Sequence, residues 1–247
     1  MCGFSPADDG RGPFSGDASG RMEVRVESRG ITCAEVLYDT DGRICELALG
    51  LRALTRAQAA HALERNCRAA MARLYALGFL DRLVTGVTPP GYCPGPELRR
   101  RRGLVLGAFT APRFLRLVAA AQLWLCLPGG SWKAEPHLGF QARWEYREAV
   151  FWVIAPRVWP LEVGWFRENA GFLPEGERVL VVAGTPQLAE ECARACPEHV
   201  DARYTWDRAL LRPGEPVQFW APARGGLAEA ERLPPGGLDR GGPPVLL

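Results

Sequence analysis

The run from Ala53 to Cys93 constrains this chain more than any other stretch. Thr55 stands where an N-cap belongs, its hydroxyl able to accept from an orphaned backbone N–H. Ala57, Ala60, His61 and Leu63 follow at helical spacing. Glu64-Arg65-Asn66 forms a short connector and offers Asn66 as the cap of a second helix. That helix ends near Leu77, where Gly78 supplies a left-handed C′ residue. Cys67, Ala70, Met71, Leu74 and Leu77 fall on one side of it, and Arg65, Arg68, Ala69, Ala72 and Ala76 on the other. Phe79 to Val84 then reads as a strand, Thr85 to Pro90 as a turn, and Gly91-Tyr92-Cys93 as the returning strand.

Helix, helix, glycine and hairpin is the order of a winged helix–turn–helix. A helix with arginines and alanines outward can lie close to a major groove, its arginines reaching phosphates or guanine edges. The expected partner is double-stranded DNA. The charge distribution points the same way. The whole chain carries a net charge of only +2, which implies no polyanionic partner. By segment, residues 1–51 sum to −4, residues 52–102 to +7, residues 103–221 to −1 and the remainder to zero. Confined positive charge is the footprint of phosphate contact. The candidate DNA-binding residues are Arg56, Arg65, Arg68, Arg73, Arg82 and the run Arg99, Arg100, Arg101 and Arg102. The plainer readings are a solvated amphipathic helix and, for the run, a solvated linker.

The chain of 247 residues, 47% hydrophobic, can bury one or two ordinary cores. It has no apolar run long enough to span a bilayer, so no membrane partner is expected. The first 21 residues lack the order of a signal peptide and read as disordered, as does the Pro/Gly-rich tail 222–247. A cytoplasmic location follows as an expectation. The eight cysteines show no C-x-x-C spacing and read as reduced, mostly buried thiols. Cys192, Cys196 and His199 could lie together, but a zinc site needs a fourth ligand and none is evident. His61 and His137 read as packing or surface residues, and neither metal nor cofactor is expected.

Upstream, Glu23 to Val26 and Ala34 to Tyr38 are strand-like, and Asp41 to Leu51 reads as a first helix with Ile44, Leu47, Ala48 and Leu51 as its apolar stripe. The second half has a different texture, holding all eight tryptophans. Ala111 to Leu127 reads as a helix, and His137–Trp144, Ala149–Ala155, Val158–Phe166 and Arg178–Ala183 as strands. Pro186 to Cys196 reads as a helix capped by Thr185, followed by strands at Ala202–Trp206 and Pro216–Trp220. The resulting class is α+β: a winged helix over 22–103 and an α/β domain with a mixed sheet over 104–221.

The segments LTRAQAAHAL and ARLYALGFLDRL, with the later PLEVGWF, RVLVVAGTPQLAEECA and RYTWDRAL, resemble the replication-relaxation family of plasmid and mobile-element proteins. The resemblance covers roughly Asp41 to Leu211. It implies a DNA-binding protein of plasmid replication or transfer control, with a restriction-endonuclease-like C-terminal domain. Nucleases of that fold need an acid on one strand and an acid-x-Lys pair on the next to hold Mg²⁺. Glu148 and Glu162 are the candidate acids. The position for lysine after Glu162 is Gly164, and the only lysine, Lys133, lies well upstream beside Glu135 in reverse order. The motif is incomplete. The expectation is therefore a noncatalytic DNA-binding protein for mobile-element control or transcriptional regulation. A metal-dependent nuclease and a winged-helix protein-interaction module are the alternatives. A homodimer is carried as a candidate assembly, although no dimerisation helix stands out.

Overall fold

A computed structural model describes residues 23–31, 38–85, 88–134, 139–157, 161–210, 215–223 and 226–233. The expectations for residues 1–21, for 34–37, for His137 and for the end of the tail lie outside these residues. In the first half, strand β1 (Arg25–Glu27) precedes helix α1 (Asp39–Leu51), strand β2 (Leu54–Thr55), helix α2 (Arg56–Ala62) and helix α3 (Arg68–Ala76). Thr55 caps α2 as expected. Its Oγ1 accepts from the Gln58 N–H at 3.2 Å while the Gln58 carboxamide accepts from the Thr55 N–H at 2.8 Å, a complete capping box. Helix α3 starts with Cys67, not Asn66, in the N-cap place. The Asn66 Oδ1 still accepts from the Arg68 N–H at 2.9 Å.

Beyond Gly78 the chain turns into a hairpin of β3 (Leu80–Val84) and β4 (Gly91–Pro94). These strands pair antiparallel with β1 outside β3 and β2 outside β4, giving the order β1-β3-β4-β2. The arginine run that reads as a linker is instead helix α4 (Pro96–Arg102), closed by Gly103 in the left-handed region.

The second half begins with α5 (Ala111–Cys126), capped by Thr110, and continues with β5 (Ser131–Ala134), β6 (Ala142–Tyr146) and β7 (Ala149–Ile154). Helix α6 (Leu161–Gly171), β8 (Arg178–Ala183), α7 (Pro186–Ala195) and β9 (Asp201–Trp206) follow. A short 3₁₀ turn at Asp207–Leu210 leads to β10 (Val217–Ala223) and β11 (Gly226–Leu233). The seven strands lie in the order β11-β10-β9-β8-β7-β6-β5, with β7, β8 and β9 parallel and the flanks antiparallel.

Three expectations need correction. Of the strand expected at Val158–Phe166, the described part, Leu161–Phe166, is helix, because parallel β7 and β8 need a crossover that a tight turn cannot supply. Within the tail, Gly226–Leu233 forms the eight-residue strand β11, paired with β10. The boundary near residue 103 does not separate two cores. Ile44, Leu54, Met71 and Leu74 of the first half share one buried cluster with Ala119, Leu123, Trp132, Trp144, Leu180 and Phe219 of the second. On β8, Leu180 and Val182 face that cluster, while Val179, Val181 and Ala183 face a second one formed with α6 and α7. The sheet is thus buried on both faces, as its parallel centre requires.

Helix α5 is the hinge of this arrangement. Phe114, Leu115, Leu117 and Val118 pack on Ala53, Leu83 and Cys93, while Ala119 to Leu123 belong to the larger core. Polar contacts follow the same path. The Gln58 carboxamide nitrogen donates to the Val118 carbonyl at 2.8 Å and to Gln122 Oε1 at 3.2 Å. Gln122 in turn donates to the Leu210 carbonyl at 2.8 Å. All three residues are buried, so this relay satisfies groups that would otherwise be costly to desolvate.

Candidate nucleic-acid interface

Helix α3 presents two unlike faces. Cys67, Ala70, Met71 and Leu74 are buried, and Arg68, Ala69, Ala72 and Ala76 are exposed. Arg65, just before it, is also exposed, with its guanidinium donating to Thr40 Oγ1 at 2.7 Å. Burial pushes the Cys67 thiol up, and the positive charges of Arg65 and Arg43 pull it back. Arg43 of α1, exposed, therefore stands beside the start of α3. Arg56 is exposed in the first turn of α2.

The nine candidate arginines divide sharply. Arg73 is held bidentately by the buried Asp41, with Nε to Oδ2 at 2.9 Å and Nη2 to Oδ1 at 2.5 Å, and also lies over the Tyr38 ring. Arg82 pairs with Glu27 at 3.5 Å, and Arg99 with the buried Asp81 at 3.2 Å. Arg100 and Arg101 share Glu97 at 2.8 and 2.6 Å, and Arg102 pairs with Glu46. Among the described residues no carboxylate pairs with Arg56, Arg65 or Arg68. The segment count of +7 overstated the free charge. Several neutralising acids, Glu27, Asp41 and Glu46, come from the acidic first 51 residues and meet the arginines only in three dimensions.

The α4 run is accordingly an internal clamp. Glu97 is fully enclosed, and hydrogen bonds from Arg100 and Arg101 hold its carboxyl below the usual carboxylate range. Its backbone N–H donates to the Gly78 carbonyl at 3.0 Å, and the Arg101 guanidinium lies 4.9 Å over the Phe79 ring. The helix thereby fastens the hairpin to the end of α3.

Sequence reasoning passed over Arg43 and also Arg29, whose guanidinium lies 5.2 Å above the ring of Tyr75 on α3. Both belong to the net-acidic segment. No local pattern marks them, since only the chain's return path brings them to α3.

The two candidate acids do not meet. Glu148 occupies the exposed β6–β7 turn with φ of 67°, at one end of β7. Glu162 lies in the first turn of α6, beyond the other end of a six-residue strand, roughly 20 Å long. Glu162 is buried and engaged at both oxygens, by Arg116 at 2.6 Å and by the Arg157 backbone N–H. The Arg116 guanidinium also lies 4.0 Å over Trp165. Strand β7 carries neither an acid nor a lysine, and Lys133 stands exposed on β5. These acids assemble no Mg²⁺ site with one another.

At the carboxyl ends of the parallel strands a buried ion pair closes the sheet. Arg157 Nη1 donates to both oxygens of Asp207, at 2.6 and 2.7 Å, and Arg157 also donates to the Ala155 and Val182 carbonyls. Burial raises the Asp207 carboxyl and Arg157 opposes the rise. The order of the described strands runs through β7, β8 and β9 without a reversal, so the sheet lacks the switch point at which open α/β sheets commonly take ligands. Among the described residues no three His, Cys, Asp or Glu side chains gather to hold a metal ion, Cys192, Cys196 and His199 included. Burial pushes the Cys45 and Cys192 thiols up to about 12, so neither is a ready nucleophile. No described helix is long and apolar enough to cross a membrane.

No family model, curated protein or solved structure matches this chain.

Proposed function

We propose that this chain is a noncatalytic protein that binds double-stranded DNA through α2, α3 and the β3–β4 hairpin, arranged as a winged helix–turn–helix. The observation that carries the reading is the exposed face of α3. It sets Arg68, with Arg65 just before the helix, neither with an acidic partner among the described residues, beside alanines short enough to let a helix approach a groove. Two further features support it. The order α1, β2, α2, α3, β3, β4, with β2 closing on β4, suits a winged helix. Each of the other candidate arginines holds a carboxylate of this chain, Arg100 and Arg101 sharing Glu97, so the candidates without an acidic partner among the described residues are those of the helix pair.

We read the second half as restriction-endonuclease-like in outline and structural in role. Its mixed sheet has helices on both faces, but its acids are dispersed or engaged in ion pairs. The resemblance to the replication-relaxation family extends the proposal to plasmid or mobile-element replication and transfer control, or to transcriptional regulation.

The test is duplex binding measured by fluorescence anisotropy across a salt series. Each phosphate contact contributes a slope of about −0.9 to log K against log[salt]. Arg65→Ala with Arg68→Ala should flatten the slope by up to about 1.8. Unchanged affinity in that double variant overturns the reading. A gel shift on the upstream region of the protein's own gene tests the regulatory extension.

A further inference from the structure

Arg29 is far from α3 in sequence yet reaches it in the fold. The segment Ser28–Gly30 leaves β1 and runs against the end of α3, where a β-carbon on Gly78 would fall 1.9 Å from the Gly30 carbonyl oxygen. That close approach sets the exposed Arg29 over Tyr75, its guanidinium 5.2 Å from the ring centroid. No carboxylate pairs with Arg29 among the described residues.

Tyr75 lies seven residues after Arg68. Seven residues make almost two full turns, so the two positions share a face and stand about 10.5 Å apart along the axis. Between them near that face is Ala72, and Ala69 and Ala76 lie to the same side of the line, all three exposed, while the buried Met71 lies to the other. No side chain longer than a methyl group intervenes there. A B-form major groove is about 12 Å wide between its phosphate walls. The axial spacing of the two helix positions that carry the cations, Arg68 itself and Tyr75 beneath Arg29, is close to that width.

We infer that Arg29, held over Tyr75, is a phosphate contact at the C-terminal end of α3, so that Arg68 and Arg29 bracket the helix between the two backbone walls of a duplex groove. The inference rests on the DNA-binding reading and extends it to a residue outside the helix–turn–helix. Tyr75 acts as a positioning residue, its ring fixing a side chain that would otherwise sweep freely through solvent.

The test uses the full chain and a duplex of mixed sequence, with affinity followed from low to moderate monovalent salt. Arg29→Ala should flatten the salt slope by about 0.9, which at 0.1 M salt corresponds to a loss of roughly eightfold. The loss should be uniform across duplex sequences, as phosphate contacts carry no base information. Tyr75→Leu, which keeps an apolar side chain on the helix, should lose part of the same slope, and adding it to Arg29→Ala should cost little more. Thermal melting that matches the parent excludes misfolding, since Arg29 is exposed. A salt slope unchanged in Arg29→Ala while Arg68→Ala flattens it overturns this inference and leaves the DNA-binding reading standing. If the parent protein fails to bind duplex even at low salt, both fall together.

Discussion

A β-carbon at position 78 would collide with the Gly30 carbonyl, and the backbone there is already left-handed, with φ of 73°. Gly78→Ala therefore combines a conformational penalty with a backbone clash, and should lower stability by at least about 2 kcal/mol in urea denaturation. A buried pair sets the second residue-level expectation. Asp207→Asn leaves the Arg157 charge enclosed without its counter-ion, and should cost about 3–5 kcal/mol. The paired replacement Arg157→Met with Asp207→Leu should cost less than that single change, as measured by the same titration. Glu97 sets the sign of a pH effect. Its carboxyl is held lower in the folded chain than in the unfolded one, so its contribution is complete above its unfolded pKa. That contribution is lost as pH falls through the folded value. Urea denaturation from about pH 7 downward should show Glu97→Gln less stable at neutrality and closing on the parent in acid.

At the scale of elements, the legible parts were those whose signals are local. Thr55 and Thr185 cap their helices through Gln58 and Leu188, and Gly78 ends α3 in the conformation expected of it. The same holds for β8, whose valine-rich apolar run is buried on both faces. Elements set by distant partners were not legible. Residues 161–166 alternate polar and apolar well enough to suggest a strand, yet Glu162, Phe166 and Ala170 are buried at a spacing of four, as on a helix. The two-residue β2 exists only because β4 offers it an edge. The candidate interface divides the same way. Exposure of Arg68 could be read from helical periodicity, whereas the capture of Arg73 by Asp41 depends on how α1 crosses α3. A test at this scale is Gln58→Ala, which removes half of a capping box and two inter-helix hydrogen bonds. It should destabilise the protein by about 1–3 kcal/mol in thermal or urea unfolding.

Over the whole molecule, the continuous core and the Gln58–Gln122–Leu210 relay tie the helical half to the sheet. Calorimetry should show one cooperative transition, and a fragment ending near Gly103 should fail to fold alone, because the sides of α1 and α2 that pack on α5 would face water. Two separated transitions would show that the halves are independent after all. The shared core also bears on descent. A head that folded alone could be traded between genes by recombination at the junction, and its relatives would then recur on unrelated bodies. Here such an exchange would take from α1 the residues of α5 and β5 that it packs against, and from α2 its support on α5. Exchange of either half is therefore costly, because each substitution on one side of α5 narrows what the other side can accept.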